Sequence, residues 1–244
     1  MDEGFEKRCL GLVGGLGVGA TVHYYRELVR LHAERGCVPN LLIVHADVNL
    51  VLKYAATGET RPLAAYLSAL LERLAAGGAR IAAIPAVTPH ICVTELLELT
   101  PIPLVSLPGE ILSEIEAQKI KRVALFSTRS TMETGIFGLL SGIEVVKPRP
   151  DEVDSIHEAY LQIVNSGHGT EGHYQKLRNI AHTICDRDKV EAVVLAGTEL
   201  SLIFNEANTD FPHVDGARVH LLAILRRLFA ESESDASPLR RSCS

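Results

Sequence analysis

Short runs of apolar, often β-branched residues recur along the whole chain, and stretches of helical periodicity separate them. The runs are Cys9–Val13, Leu41–His45, Ile81–Ile84, Pro103–Ser106, Arg122–Phe126, Glu144–Val146 and Ala192–Ala196. Each is too short for a helix and reads as a buried strand. Between them, Ala20–Arg35, Pro62–Ala75 and Asp154–Val164 carry helical stripes; in the second, Leu63, Leu67, Leu70, Leu71 and Leu74 share one face. Strand and helix in alternation predict α/β layering on parallel sheets.

Three prolines in 100–108 interrupt the pattern, and a second half of similar design follows to Leu202. The expected architecture is two similar parallel-sheet sandwich domains with a ligand cleft between them. The first takes 1–105 and, through a returning helix, 212–230; the second takes 106–211; a polar tail from Glu231 is expected to be disordered. A net charge of −6 excludes the concentrated basic surface that nucleic-acid binding needs. No run is long and apolar enough for a membrane span, and the charged start MDEGFEKR lacks a signal-peptide core, so a cytoplasmic protein is expected. Cys9, Cys37, Cys92, Cys185 and Cys243 are odd in number and lack metal-ligand spacing, which fits reduced thiols.

Parallel sheets gather ligands beyond the carboxyl ends of their strands. The first such turn is GLVGGLGVGAT from Gly11 to Thr21. Its glycine spacing departs from the dinucleotide fingerprint; it suits backbone capture of a small anion such as a carboxylate, or a plain tight turn. In PAVTPH, Pro85 to His90, Thr88 is placed as an N-cap ahead of Pro89, with His90 either packed or available for proton transfer. In FSTRSTME, Phe126 to Glu133, hydroxyls including Thr128 and Thr131 offer an uncharged cradle to which Arg129 adds charge, or else Ser130 and Glu133 form a capping box. LAGTEL, Leu195 to Leu200, mirrors the second turn, and Glu199 suits an acid/base role or a helix start. Asp215 reads as an N-cap before a helix in which His220 faces the cleft or is structural.

In order and spacing these turns resemble the aspartate/glutamate racemase family, over about Gly11 to Phe229. The Gly11–Thr21 stretch resembles that family's G-G-M-G/S start, PAVTPH its P-C-N-T-x-H, TRSTME with Phe137 its middle motif, AGTEL its G-C-T-E, and Asp215 to His220 its closing D-x-x-x-x-H. The resemblance implies a cofactor-independent enzyme, a homodimer, and an amino acid or small carboxylate held near Leu16, Val87, Thr88, Thr128, Thr131 and Thr198. It also implies two facing cysteines that remove and return an α-proton. Here Ala86 and Gly197 stand at those positions, Val87 replaces an asparagine, and Asn165 stands where many aspartate racemases carry a lysine.

Neither a methyl group nor a hydrogen transfers protons, so the two-thiol mechanism is lost. Three readings follow. The cleft binds a small carboxylate and does other acid/base chemistry with His90, Glu199 or His45; it binds and is catalytically silent; or it racemises amino acids with non-cysteine groups.

Overall fold

The computed structural model describes residues 8–234. Two four-stranded sheets, both fully parallel, carry the fold. In chain order the first half runs β1 (Cys9–Gly14), α1 (Val18–Ala33), β2 (Asn40–His45), α2 (Val48–Thr57), α3 (Thr60–Ala76), β3 (Ile81–Ala83), a 3₁₀ turn (Thr88–Cys92), α4 (Val93–Leu99) and β4 (Leu104–Val105). The second runs α5 (Leu107–Ala117), β5 (Arg122–Phe126), α6 (Arg129–Thr134), β6 (Glu144–Val146), α7 (Pro150–Ser166), α8 (Glu171–Asp188), β7 (Ala192–Leu195), a 3₁₀ turn (Thr198–Leu202), β8 (His213–Asp215) and α9 (Gly216–Ser234). The α/β architecture and the seven strands read from the sequence are present.

The strand orders are β2-β1-β3-β4 and β6-β5-β7-β8. Connections leave each sheet's first strand toward one edge and then the other, which opens a crevice at the carboxyl ends of β1 and β3 and again at those of β5 and β7.

Side-chain alternation along a strand sorts the first sheet's core. Cys9 and Val13, with Ala82 and Ile84, face Leu63, Leu67, Leu71 and Leu74 of α3. Leu10 and Leu12, with Ile81 and Ala83, face Tyr24 and Leu28 of α1 and Leu221, Ile224, Leu225 and Leu228 of α9. The second sheet has one continuous core that also takes Leu107, Ile111 and Ile115 of α5.

Several details differ from the sequence reading. Residues 213–215, grouped above with the first unit, pair with β7 in the second sheet, while the following helix packs on the first. Helices α2 and α8 were not singled out. The helix expected to stop at 230 continues to Ser234, and residues 235–244 of the expected tail lie outside the described part. Among the described residues no helix is long and apolar enough to cross a membrane.

Glu110 on α5 is nearly buried and receives Arg227 Nη2 at 2.6 Å and Arg226 Nη2 at 3.4 Å. Both arginines are substantially exposed, so apolar burial fastens α9 more than these ion pairs do. Urea unfolding of Ile224→Ala is expected to show a loss of about 2–5 kcal/mol, against less than about 1 kcal/mol for Arg226→Ala.

Candidate functional site

A cleft of about 390 Å³ opens where the carboxyl ends of the two sheets meet. Its floor is the strand-end turns: Gly15 to Val18 after β1, Ala86 to Pro89 after β3, Ser127 and Thr128 after β5, and Thr198 and Glu199 after β7. Helix α2 adds Val48, Asn49, Val51 and Leu52, and α7 adds Tyr160, Leu161, Val164 and Asn165. All the turns chosen from sequence after β1, β3, β5 and β7 therefore converge. A second hollow of about 450 Å³ lies between α1, α9 and residues 201–207. Its charges are already matched internally: Arg30 with Glu27, Arg218 with Glu206, and Asp215 with the Ser201 hydroxyl. That satisfied surface offers less to a ligand than the strand-end cleft does.

Leu16, Ala86, Val87, Thr88, Thr128, Thr198 and Glu199 line the cleft. Thr88 does so by a different route. It is the first residue of a 3₁₀ turn whose N-cap position is Val87, and no side chain caps that turn, so its hydroxyl is not spent on the cap proposed for it. Thr128 is the N-cap of α6, accepting from Thr131 N at 3.4 Å and bonding the Thr131 hydroxyl at 2.9 Å. This replaces the Ser130–Glu133 box. Thr131 is fully buried and supports Thr128 from behind rather than lining the cleft. Arg129 adds no charge to the cradle; it turns outward to Asp154 and, at 3.6 Å, to Glu133.

Both histidine candidates lie outside the lining. His45 is exposed, with its ring against the Gly15 main chain. His90 is buried; its Nδ1 meets Ala86 O at 2.8 Å, which makes that nitrogen the N–H donor, and Nε2 has no partner. Burial lowers its pKa to about 4. His220, also buried, donates from Nε2 to Val105 O at 2.9 Å and accepts on Nδ1 from the Tyr24 hydroxyl at 3.0 Å. Burial lowers it to about 3. These rings brace the turn after β3 and the seat of α9. Asp215 does cap α9, accepting from Arg218 N at 3.1 Å.

Glu199 is the one predicted acid/base residue that reaches the cleft. Its Oε2 accepts from the Tyr160 hydroxyl at 2.6 Å and from the Thr198 hydroxyl at 3.1 Å, and the Ala20 backbone N–H also favours its charged form. Burial outweighs those bonds and raises its pKa. A Cβ on Gly17 would run into this carboxylate, at 3.0 Å from Cδ. Gly17 is the N-cap position of α1 and provides no side-chain cap. The anion seated at the glycine turn is therefore the protein's own, carried across from the second half. The Thr198 hydroxyl has one proton, shared between this carboxylate and Pro85 O at 3.2 Å, and so adds a contact to the crossing.

Tyr160 was not picked out from sequence. Its ring lies over Gly197, where a Cβ would sit 2.7 Å from Cζ and 2.9 Å from Cδ2. Gly197 has ordinary backbone angles, φ −72° and ψ 118°, so space and not conformation calls for glycine there. The signal was the stripe of α7 itself, but only the sheet order shows that this stripe meets β7.

Residues 13–224 match the profile of the Asp/Glu/Hydantoin racemase family. The chain belongs to that family. Solved structures with the same fold include an Asp/Glu racemase candidate from Yersinia pestis, at 23% identity over 91% of this chain and 99% of that one, TM-score 0.78. An aspartate racemase homologue from Pyrococcus horikoshii OT3 follows at 22% identity, 91% and 99% coverage and TM-score 0.75. The Picrophilus torridus aspartate racemase has 20% identity, 91% and 94% coverage and TM-score 0.73. At these identities the structural likeness is one of fold, and it agrees with the two-sheet architecture of this family member.

The buried histidines His90 and His220 set a pH dependence. Both are neutral in the fold, with pKa values of about 4 and about 3 against an ordinary 6.5. Their stabilising effect is complete above pH 6.5 and is lost as pH falls toward these values, by about 1.4 kcal/mol per unit of displacement. Urea midpoints measured from pH 7 down to pH ~4 should fall steeply, and His90→Asn should flatten the slope.

Proposed function

We propose that this family member binds a small amino acid or carboxylate in the cleft between its two sheets and does not racemise it by thiol chemistry. The observation that carries this reading is what stands at the ends of β3 and β7: the Ala86 methyl group at one and Gly197, covered by the Tyr160 ring, at the other. The hydroxyls of Thr88, Ser127 and Thr128 lie along the same floor and suit a carboxylate. Cys92 does not replace the missing thiols. It is buried, donates to Pro89 O at 3.2 Å, and burial pushes its pKa up to about 12. With His90 and His45 outside the lining, Tyr160 and Glu199 are, among the described residues, the only ionisable groups that line the cleft, and their hydrogen bond makes them a structural pair.

A second reading, proton transfer on one face by that pair, rests on the 2.6 Å bond between them. It requires Tyr160→Phe to abolish a turnover that the intact protein shows. We also propose that the units divide near residue 105 and again between Asp215 and Gly216, where β8 of the second sheet gives way to α9, and that a second copy covers the exposed stripe Val22, Tyr25 and Val29 of α1, as a homodimer would.

Incubation with either enantiomer of aspartate or glutamate in ²H₂O is expected to leave Cα unlabelled by NMR. Labelling above the protein-free rate would overturn the reading, since each lost acid or base costs about 10²–10⁴ in rate. Gly197→Cys alone is expected to lower stability by about 1–3 kcal/mol through overlap with Tyr160. Adding Tyr160→Ala should recover part of that loss; an unfolding midpoint for Gly197→Cys equal to the parent's would show that the ring does not fill the site.

A further inference from the structure

We propose that the ligand of the cleft is a compact monocarboxylate carrying an aliphatic side chain, and not a dicarboxylate. This deepens, and rests on, the reading that the cleft holds a small carboxylate.

The cleft divides by chemistry. Hydroxyls come from the strand-end turns, whereas the flanking helices present Val48, Val51 and Leu52 on one side and Leu161 and Val164 on the other. The only other polar side chains of those helix walls, apart from Tyr160, are the uncharged amides of Asn49 and Asn165. Among the described residues that line the cleft there is no lysine, arginine or histidine. Arg129, on the helix that follows Thr128, is held outside by Asp154 and Glu133.

One carboxylate can be accommodated by hydroxyls and turn N–H groups, which solvate an anion without a counter-charge. A second carboxylate would trade part of its hydration for valines and leucines with no cation to receive it, in a cleft whose ionisable groups, Glu199 and Tyr160, are both acidic. Burying an unpaired charge is strongly unfavourable, so this arrangement selects against a distal acid.

The exposure pattern points the same way. Val18, Leu52 and Leu161, all in the lining, are 60%, 52% and 38% exposed. Large apolar side chains gathered at the mouth of one cleft gain from being covered, and an aliphatic side chain covers them where a carboxylate would hydrate them.

Leucine and aspartate isolate the effect, because an isobutyl and a carboxymethyl group are close in shape and differ in charge. Isothermal titration of the full chain with L- and D-leucine, 4-methylpentanoate, and L- and D-aspartate is expected to show an aliphatic probe binding about tenfold or more tightly than aspartate. Aspartate binding as tightly as leucine and 4-methylpentanoate, or more tightly, overturns the ligand class while leaving the carboxylate site standing. No heat from any probe overturns the site reading and this inference with it. Asn165→Lys, an exposed change at the rim, should move the preference toward aspartate by raising aspartate affinity and lowering that of leucine; an unchanged ratio would show that missing charge does not set the selectivity.

Discussion

The carboxylate of Glu199 is where the two halves of this protein are joined. It leaves the end of β7, is held by Tyr160 and Thr198 of its own half, and comes to rest at the start of α1 in the other half. A helix start presents unpaired N–H groups and a partial positive charge, so a carboxylate there satisfies donors that Gly17, having no side chain, cannot. Gly17 is required for the approach, and Thr198 reinforces it through Pro85 O. The floor of the cleft follows from these contacts, because the turns after β1, β3 and β7 are tied together before any ligand arrives.

The same contacts explain why the end of β7 carries no reagent. Tyr160 must lean over residue 197 to reach Glu199, and its ring then takes the volume that a side chain there would need. Glycine at 197, tyrosine at 160 and the buried glutamate form one fitted unit, and a lone change at any member leaves a clash, a void or an unpaired polar group. At the end of β3 the arrangement is simpler: Ala86 offers only a methyl group, and His90 spends its donor on the Ala86 carbonyl. A cleft built this way is suited to holding a molecule by shape and hydrogen bonding.

The sheets were legible because a strand buried on both faces must be apolar throughout, and seven such runs survive in the sequence. β8 escaped because its residues, His213 to Asp215, set a single valine between two polar side chains and so lack an apolar run. The turns of the site were legible because strand ends in parallel sheets collect ligands, and all the turns chosen after β1, β3, β5 and β7 meet. Roles within them were harder to read. His90 looked available because it follows Pro89 in a helical start, but the segment winds as a 3₁₀ turn that carries the ring into the interior. The glycine turn was read as suiting a small bound anion or as a plain tight turn, and the carboxylate that lies against it is that of Glu199, 182 positions further along the chain from Gly17. Tyr160 escaped notice because nothing local to α7 distinguishes a core tyrosine from one poised over another strand's end.

The end of β7 is shaped above all by the Tyr160–Glu199 contact, and a double-mutant cycle in urea unfolding measures that contact directly. Tyr160→Phe removes the donor and Glu199→Met removes the acceptor at similar length. Strong non-additivity is expected, with a coupling of about 1–3 kcal/mol. Losses that sum to within ~0.5 kcal/mol would mean that the two side chains do not act on each other, and the fitted unit of Gly197, Tyr160 and Glu199 would be contradicted.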